Sequence, residues 1–134
     1  MSAVVDASLL VGALTGSGRE TQWCEAALEQ SEIAAPELAL AEATNLLRRM
    51  ELSSRITPHE AASAHRDLLR LGIESYPFGP FADRVWELRA NLTAYDAWYV
   101  ALAEALDWPL FTLDRRLGRA SGLRCEVIVP PADA

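Results

Sequence analysis

The chain has 134 residues, enough for one ordinary domain with a single sizeable core, and 51% of them are apolar, so part of the apolar surface is expected to cover a partner. It is acidic, with 19 Asp and Glu against 12 basic residues, an unexpected balance for a nucleic-acid binder unless the acids gather at a cation site and the basic residues surround it. Every basic residue is arginine, and the lack of lysine removes Walker-type phosphate loops and takes most of the weight from receiver domains and haloacid-dehalogenase-like phosphotransferases. Val4-Val5 reads as a first strand ending at Asp6, followed by a helix over about Ala7–Leu14. Gly12, Gly16 and Gly18 read as a flexible loop and nothing more. Trp23, Ala26, Ala27 and Leu28 indicate a second helix, and Ile33-Ala34-Ala35 a second strand stopped by Pro36.

From Glu37 to about Leu52, Leu38, Ala41, Leu46 and Met50 recur at helical spacing. Thr57-Pro58-His59-Glu60 supplies an N-cap, an N1 proline and a capping-box acid for a helix to about Leu71. Ile73–Tyr76 predicts a third strand, Phe81–Arg89 and Ala94–Leu106 two helices, Pro109–Thr112 a fourth strand, Arg115–Ala120 a short helix, and Val127–Val129 a last strand. Short strands alternating with helices predict an α/β domain with a central parallel sheet, one unit over residues 1–134. The Ala94–Leu106 helix is apolar nearly all round and is expected to be buried, at the domain centre or under a partner.

Cys24 and Cys125 lie far apart outside any C-x-x-C pair and are read as reduced, mostly buried thiols of a cytoplasmic protein. The first residues lack a basic region and place Asp6 in the apolar stretch, so no signal peptide is expected. No apolar run approaches the roughly 20 residues of a membrane span.

Four acids stand where packing alone does not ask for them. Asp6 ends the first strand and Asp114 follows the fourth, and open α/β sheets bind ligands beyond the carboxyl ends of their strands. Asp96 enters at a helix N-terminus, in apolar surroundings where an unpaired acid is costly, and Glu42 lies in the first turns of another helix. Each has an ordinary alternative: Asp6 and Asp114 as N-caps, Asp96 as the capping-box partner of Thr93, Glu42 as a solvated helix acid. Together they are better explained by a shared cation. Clustered carboxylates raise one another's pKa, and a hard divalent ion reverses that cost. Without His or Cys beside them they favour Mg²⁺ or Mn²⁺ over zinc.

The segments Val4-Val5-Asp6-Ala7-Ser8, Pro36-Glu37-Leu38 leading to Glu42-Ala43-Thr44-Asn45-Leu46-Leu47-Arg48, Leu92-Thr93-Ala94-Tyr95-Asp96-Ala97 and Phe111-Thr112-Leu113-Asp114-Arg115-Arg116-Leu117 resemble a PIN domain. The resemblance is to the VapC group of toxin ribonucleases from bacterial toxin–antitoxin pairs and covers essentially the whole chain. It implies a three-layer α/β/α fold and an endoribonuclease in which Asp6, Glu42, Asp96 and Asp114 hold Mg²⁺ or Mn²⁺, and a metal-activated water attacks the RNA phosphodiester. It also implies a homodimer and a cognate VapB-type antitoxin whose C-terminal segment covers the toxin's groove. Thr112, Ser8 and Asn45 match supporting positions, with a plain structural role as the alternative. Some members carry another acid shortly after the position of Asp114. Arg115, Arg116 and Leu117 follow here, which argues against a fully liganded second metal and leaves the first site intact.

Arg48, Arg49, Arg115, Arg116 and Arg119 flank the acids in sequence and are candidates to hold RNA phosphates, or else ordinary solvated arginines. His59 and His65, six apart, fall on different helix faces and carry no metal expectation. Trp23, Trp86, Trp98 and Trp108 are read as core or interface anchors rather than base-stacking platforms. Two further readings remain: an RNA-processing PIN-like nuclease with no toxic role, and a non-catalytic binding module.

Overall fold

The computed structural model describes residues 1–132. They form a five-stranded, wholly parallel sheet: β1 (Ser2–Val5), β2 (Glu32–Pro36), β3 (Glu74–Tyr76), β4 (Leu110–Phe111) and β5 (Val127–Ile128). The spatial order is β3-β2-β1-β4-β5, so the chain builds outward from β1 to one edge and then returns to the other side of it. The helices are α1 (Ala7–Leu14), α2 (Arg19–Ala27), α3 (Leu38–Leu52), α4 (Pro58–Leu68), α5 (Ala82–Glu87) and α6 (Ala94–Leu106). Outward crossovers place α1 to α4 on one face of the sheet, and the return places α5 and α6 on the other, as right-handed connections require. This is the expected α/β/α layering.

The pleat divides the core. Val4 faces α6 and its neighbours, whereas Ala3 and Val5 face α1 and α3. Helix ends are set locally. Asp6 caps α1 by accepting from the Leu9 amide, and Thr57 and Glu60 close the expected capping box of α4, with Pro58 in its first turn. The apolar circumference of α6 is explained by its burial, since Ala97 through Ala103 are all buried. No helix among the described residues is long and apolar enough to cross a membrane.

Three expectations need correction. The short helix expected over Arg115–Ala120 shrinks to a three-residue 3-10 helix, Leu117–Arg119. Asp114 captures the Arg116 amide at 3.0 Å in a local turn, and so short a stretch cannot offset the cost of nucleating a helix. Gly12 is not loop. It lies inside α1, where an added Cβ would stand 3.0 Å from Cys24 Sγ and 3.1 Å from Leu113 Cδ1, so its missing side chain lets α2 and the β4 loop approach. Gly16 and Gly18 do form a loop with positive φ. Of the core-or-interface reading, Trp86 loses the core half: it is 67% exposed, with the Arg89 guanidinium 4.3 Å from its ring centroid. Trp98 is buried against Phe78, and Trp23 packs on Phe111. Both cysteines are free, Cys24 buried and Cys125 partly so. Burial is the main cause that pushes their thiols up, to about 12 and about 11 respectively.

A polar clamp ties the return face together. Arg84 of α5 donates to both carboxylate oxygens of Glu104 on α6, at 2.7 and 3.1 Å, and to the Gly122 carbonyl at 2.8 Å. The Arg124 amide reaches Glu104 at 2.7 Å, which joins the β5 approach to both helices. Burial alone raises the Glu104 pKa, but the hydrogen bonds from Arg84 and Arg124 and their charges outweigh it and hold the carboxyl below its ordinary value. A carboxyl with a depressed folded pKa stabilises fully above its unfolded pKa and loses that contribution as pH falls through the folded value. Glu104→Gln is therefore expected to destabilise the chain by about 2 kcal/mol in urea unfolding at pH 7. The gap to wild type should close as pH falls below roughly 4; a gap independent of pH would contradict the clamp.

Candidate active site

The strand order reverses direction at β1, between β2 and β4, and the carboxyl ends of β1 and β4 deliver Asp6 and Asp114 to one rim. There an open pocket of about 460 Å³ is lined by Asp6, Glu42, Asp96 and Asp114, together with Ser8, Asn45, Leu46, Arg49, Tyr99 and Arg116. All four candidate acids thus meet at one pocket, brought from β1, α3, α6 and the loop after β4.

Asp6 is the most enclosed. Its Oδ1 accepts from Ser8 Oγ at 2.7 Å and from the Leu9 amide at 3.0 Å, and its Oδ2 accepts from the Thr112 hydroxyl. Thr112, fully buried, in turn accepts from the Asp114 amide at 2.9 Å, and Ser8 Oγ accepts from the Leu113 amide at 3.4 Å. Two candidate supporting residues therefore link the β1 end to the β4 end through the acids themselves. Burial raises the Asp6 pKa, helped by the nearby Asp96 charge and opposed by the hydrogen bonds of Thr112, Ser8 and Leu9. Asp96 is also raised, by burial and then by the Asp114 charge, against the Thr93 hydrogen bond and Arg116. Asp114 behaves oppositely: burial raises it, but the Arg116 side chain and amide hold it below its ordinary value.

Two cap readings coexist with the site. Asp6 is the α1 cap, and the Asp96 amide donates to Thr93 Oγ1 at 3.2 Å, so each acid is placed by a helix start as well as facing the pocket. Glu42, Asn45, Leu46 and Arg49 share one face of α3, at helical spacing. Arg48 lies off that face and does not line the pocket; Arg49 takes its place. Arg115 also turns away, donating to the Pro131 carbonyl at 3.1 Å. Arg116 reaches the pocket through its ion pair with Asp114 at 3.3 Å, and Arg119 is not among the lining residues.

Tyr99 is the lining residue that reading the sequence overlooked. Its hydroxyl donates to Glu42 Oε1 at 2.6 Å. Burial, then the hydrogen bond to Glu42 and the charges of Glu42 and Asp6, push its phenol far above the ordinary range, so it stays a protonated donor. Its i+3 spacing from Asp96 was the available signal.

The donor set is carboxylate, with neutral oxygens at Ser8 and Asn45, and suits a hard divalent cation in kind. The raised pKa values of Asp6 and Asp96 reflect charge that burial and like neighbours disfavour, a penalty a cation would relieve. As placed, no three acids among the described residues converge into a ligand group. Glu42 Oε1 accepts from the Tyr99 hydroxyl, and both Asp114 oxygens accept from the Arg116 guanidinium.

Beside this pocket runs a larger groove of about 650 Å³ that shares Ser8, Leu46 and Arg49 with it. Val11, Leu46, Met50, Ile56 and Leu113 give it an apolar lining, with Arg49, Arg55 and Glu20 as its charged groups.

The chain matches the PIN domain over residues 3–123. It is 45% identical over 125 residues to ribonuclease VapC1 of Mycobacterium tuberculosis, covering 92% of this chain and 94% of that one. Ribonuclease VapC9 of the same organism is 38% identical over 128 residues, covering 96% and 98%. Among solved structures, VapBC2 of Rickettsia felis, bound to a DNA fragment from its promoter, matches with a TM-score of 0.68 at 16% sequence identity and covers 98% of this chain and 100% of that one.

The Thr112 hydroxyl is the test of the rim. Thr112→Val keeps the shape but leaves Asp6 Oδ2 short of a donor in a buried place, and should cost about 1–3 kcal/mol in urea unfolding. Thr112→Ser should recover most of that loss. Equal stability of the Val variant and wild type would show that the hydroxyl does not secure the acid.

Proposed function

The chain belongs to the PIN-domain family, in its VapC ribonuclease group, and from that membership we propose that it is a Mg²⁺- or Mn²⁺-dependent endoribonuclease acting as the toxin of a type II toxin–antitoxin pair. The observation that carries the reading is the meeting of Asp6, Glu42, Asp96 and Asp114 at one pocket on the carboxyl edge of the sheet. In this reading all four acids hold the cation. When bound, such an ion makes water a better nucleophile and offsets charge on the phosphate.

The chain's own residues would do the rest. Ser8 and Thr112 keep both Asp6 oxygens oriented, and Thr112 sets the backbone from which Asp114 projects. Arg49 and Arg116 are placed to hold phosphates on either side of the scissile bond, Arg116 by leaving Asp114. The adjacent groove, apolar with two arginines and one glutamate, suits the C-terminal segment of a VapB-type antitoxin, a partner supported by the likeness to VapBC relatives. A homodimer and action in the cytoplasm follow the same family reading.

The non-catalytic alternative draws on one observation, that the acids as placed do not converge on a single point. Cleavage separates the two. Purified protein free of antitoxin, incubated with total bacterial RNA, should yield discrete fragments in Mg²⁺ or Mn²⁺ and none in EDTA. Asp96→Asn removes charge with little volume and should lower cleavage by more than about a hundredfold, the upper range for losing a ligand's supporting partner. Millimolar metal should also raise the wild-type melting temperature, because it binds only the native state. A folded protein that cuts nothing and melts unchanged in metal would favour the binding module.

A further inference from the structure

The Tyr99 hydroxyl joins two helices that otherwise serve opposite faces of the sheet. Ala43 and Leu47 seat α3 in the core shared with α1 and α4, whereas Val100 and Leu102 seat α6 in the other. Ala39, at the start of α3, belongs to the α6 side, so α3 passes over the sheet edge where the acids meet. There Tyr99 Oη donates to Glu42 Oε1 at 2.6 Å, across 57 positions of sequence. Tyr99 is 4% exposed, so its ring is fixed by packing, and the same helix carries Asp96 one turn earlier.

We propose that Tyr99 is a positioning residue for cation binding: its hydroxyl holds Oε1 of Glu42, which lines the acid pocket, so that the carboxylates of α3 and α6 serve one ion. The proposal rests on the metal-nuclease reading above. A free glutamate samples many rotamers, and ordering it at the moment of binding weakens affinity. A buried phenol removes that freedom beforehand. It does so without charge, where an Arg or Lys would compete with the cation, as Arg116 does at Asp114. Hydrogen-bonded partners behind metal ligands commonly tune affinity in this way.

The alternative is that the bond merely fastens α3 to α6. The two are separated by calorimetric titration of Mn²⁺ into the full chain as wild type, Tyr99→Phe, Glu42→Gln and the double variant, with melts in EDTA alongside. Tyr99→Phe should weaken Mn²⁺ binding by roughly tenfold or more. The double variant should bind no more weakly than Glu42→Gln alone, because the hydroxyl acts only through that carboxylate. An unchanged Mn²⁺ affinity in folded Tyr99→Phe, beside a weakened Glu42→Gln, overturns the positioning role and leaves the site reading standing. A wild type that binds no Mn²⁺, or Glu42→Gln that binds as well as wild type, overturns both. Should the Phe variant not fold, the wild type itself supplies the test by proton NMR. A downfield hydroxyl resonance, expected of a short phenol–carboxylate bond, should shift on adding Mg²⁺; one that stays in place overturns the proposal.

Discussion

The rim of the sheet depends on one buried carboxylate being tolerated. Asp6 ends β1 where burial disfavours its charge, and three donors oppose that penalty: the Leu9 amide, Ser8 and Thr112. Each donor also shapes the backbone. The Leu9 bond starts α1, the Ser8 hydroxyl receives the Leu113 amide, and the Thr112 hydroxyl receives the Asp114 amide. Satisfying Asp6 therefore fixes the relation of β1, α1 and the β4 loop at once. A buried polar network of this kind stabilises only when every member is satisfied, which makes the geometry of the rim hard to vary. Thr112 is the one polar residue among those described as buried, and it sits at the centre of that network.

The strand order explains why acids from distant parts of the chain meet. Right-handed crossovers leave and return on opposite sides of β1, so the loops after β1 and β4 diverge and open a crevice at the carboxyl edge. Asp6 and Asp114 stand on its two lips. Helices α3 and α6, one from each face, bring Glu42 and Asp96 over it. The bond between Tyr99 and Glu42 ties α6 to α3 at this crevice, and the bond between Thr112 and Asp6 ties the end of β4 to the end of β1.

Much of this was legible in the residues. Alternation of short apolar runs with amphipathic segments is enough for a parallel sheet, and local capping at Asp6, Thr57 and Thr93 marks where helices begin. The four acids were legible only as a set: Asp6 and Asp114 end strands, Asp96 starts an apolar helix, and the resemblance to a PIN domain joins Glu42 to them; all four line one pocket. What escaped reading depends on facing rather than on order. Arg48 and Arg49 are neighbours in sequence, but a residue adjacent on a helix is rotated by roughly 100°, and only Arg49 shares the face of Glu42. Arg115 and Arg116 diverge for a similar reason, since the turn held by Asp114 points one inward and the other to Pro131. Tyr99 was hidden by its own type: on an all-apolar helix an aromatic ring reads as packing, and the hydroxyl's partner lies far along the chain. Gly12 was misread because the close approach of Cys24 and Leu113 is a tertiary fact.

The acidic balance of the chain, at first an objection to RNA, becomes intelligible at the pocket. A formal charge of −7 repels phosphate at a distance, and four carboxylates on one rim repel it most strongly there. Arg116 offsets part of that charge but spends its own on Asp114, leaving Arg49 as the other lining cation. Under the proposed function, Asp6, Glu42, Asp96 and Asp114 would hold a divalent ion whose charge offsets theirs, and Arg49 and Arg116 would then be the side chains of the pocket available to phosphate. Binding of the cation and binding of RNA would then be coupled through charge. Under that reading, an acidic chain so built would be a poor general binder of nucleic acid and would engage it only with the ion in place.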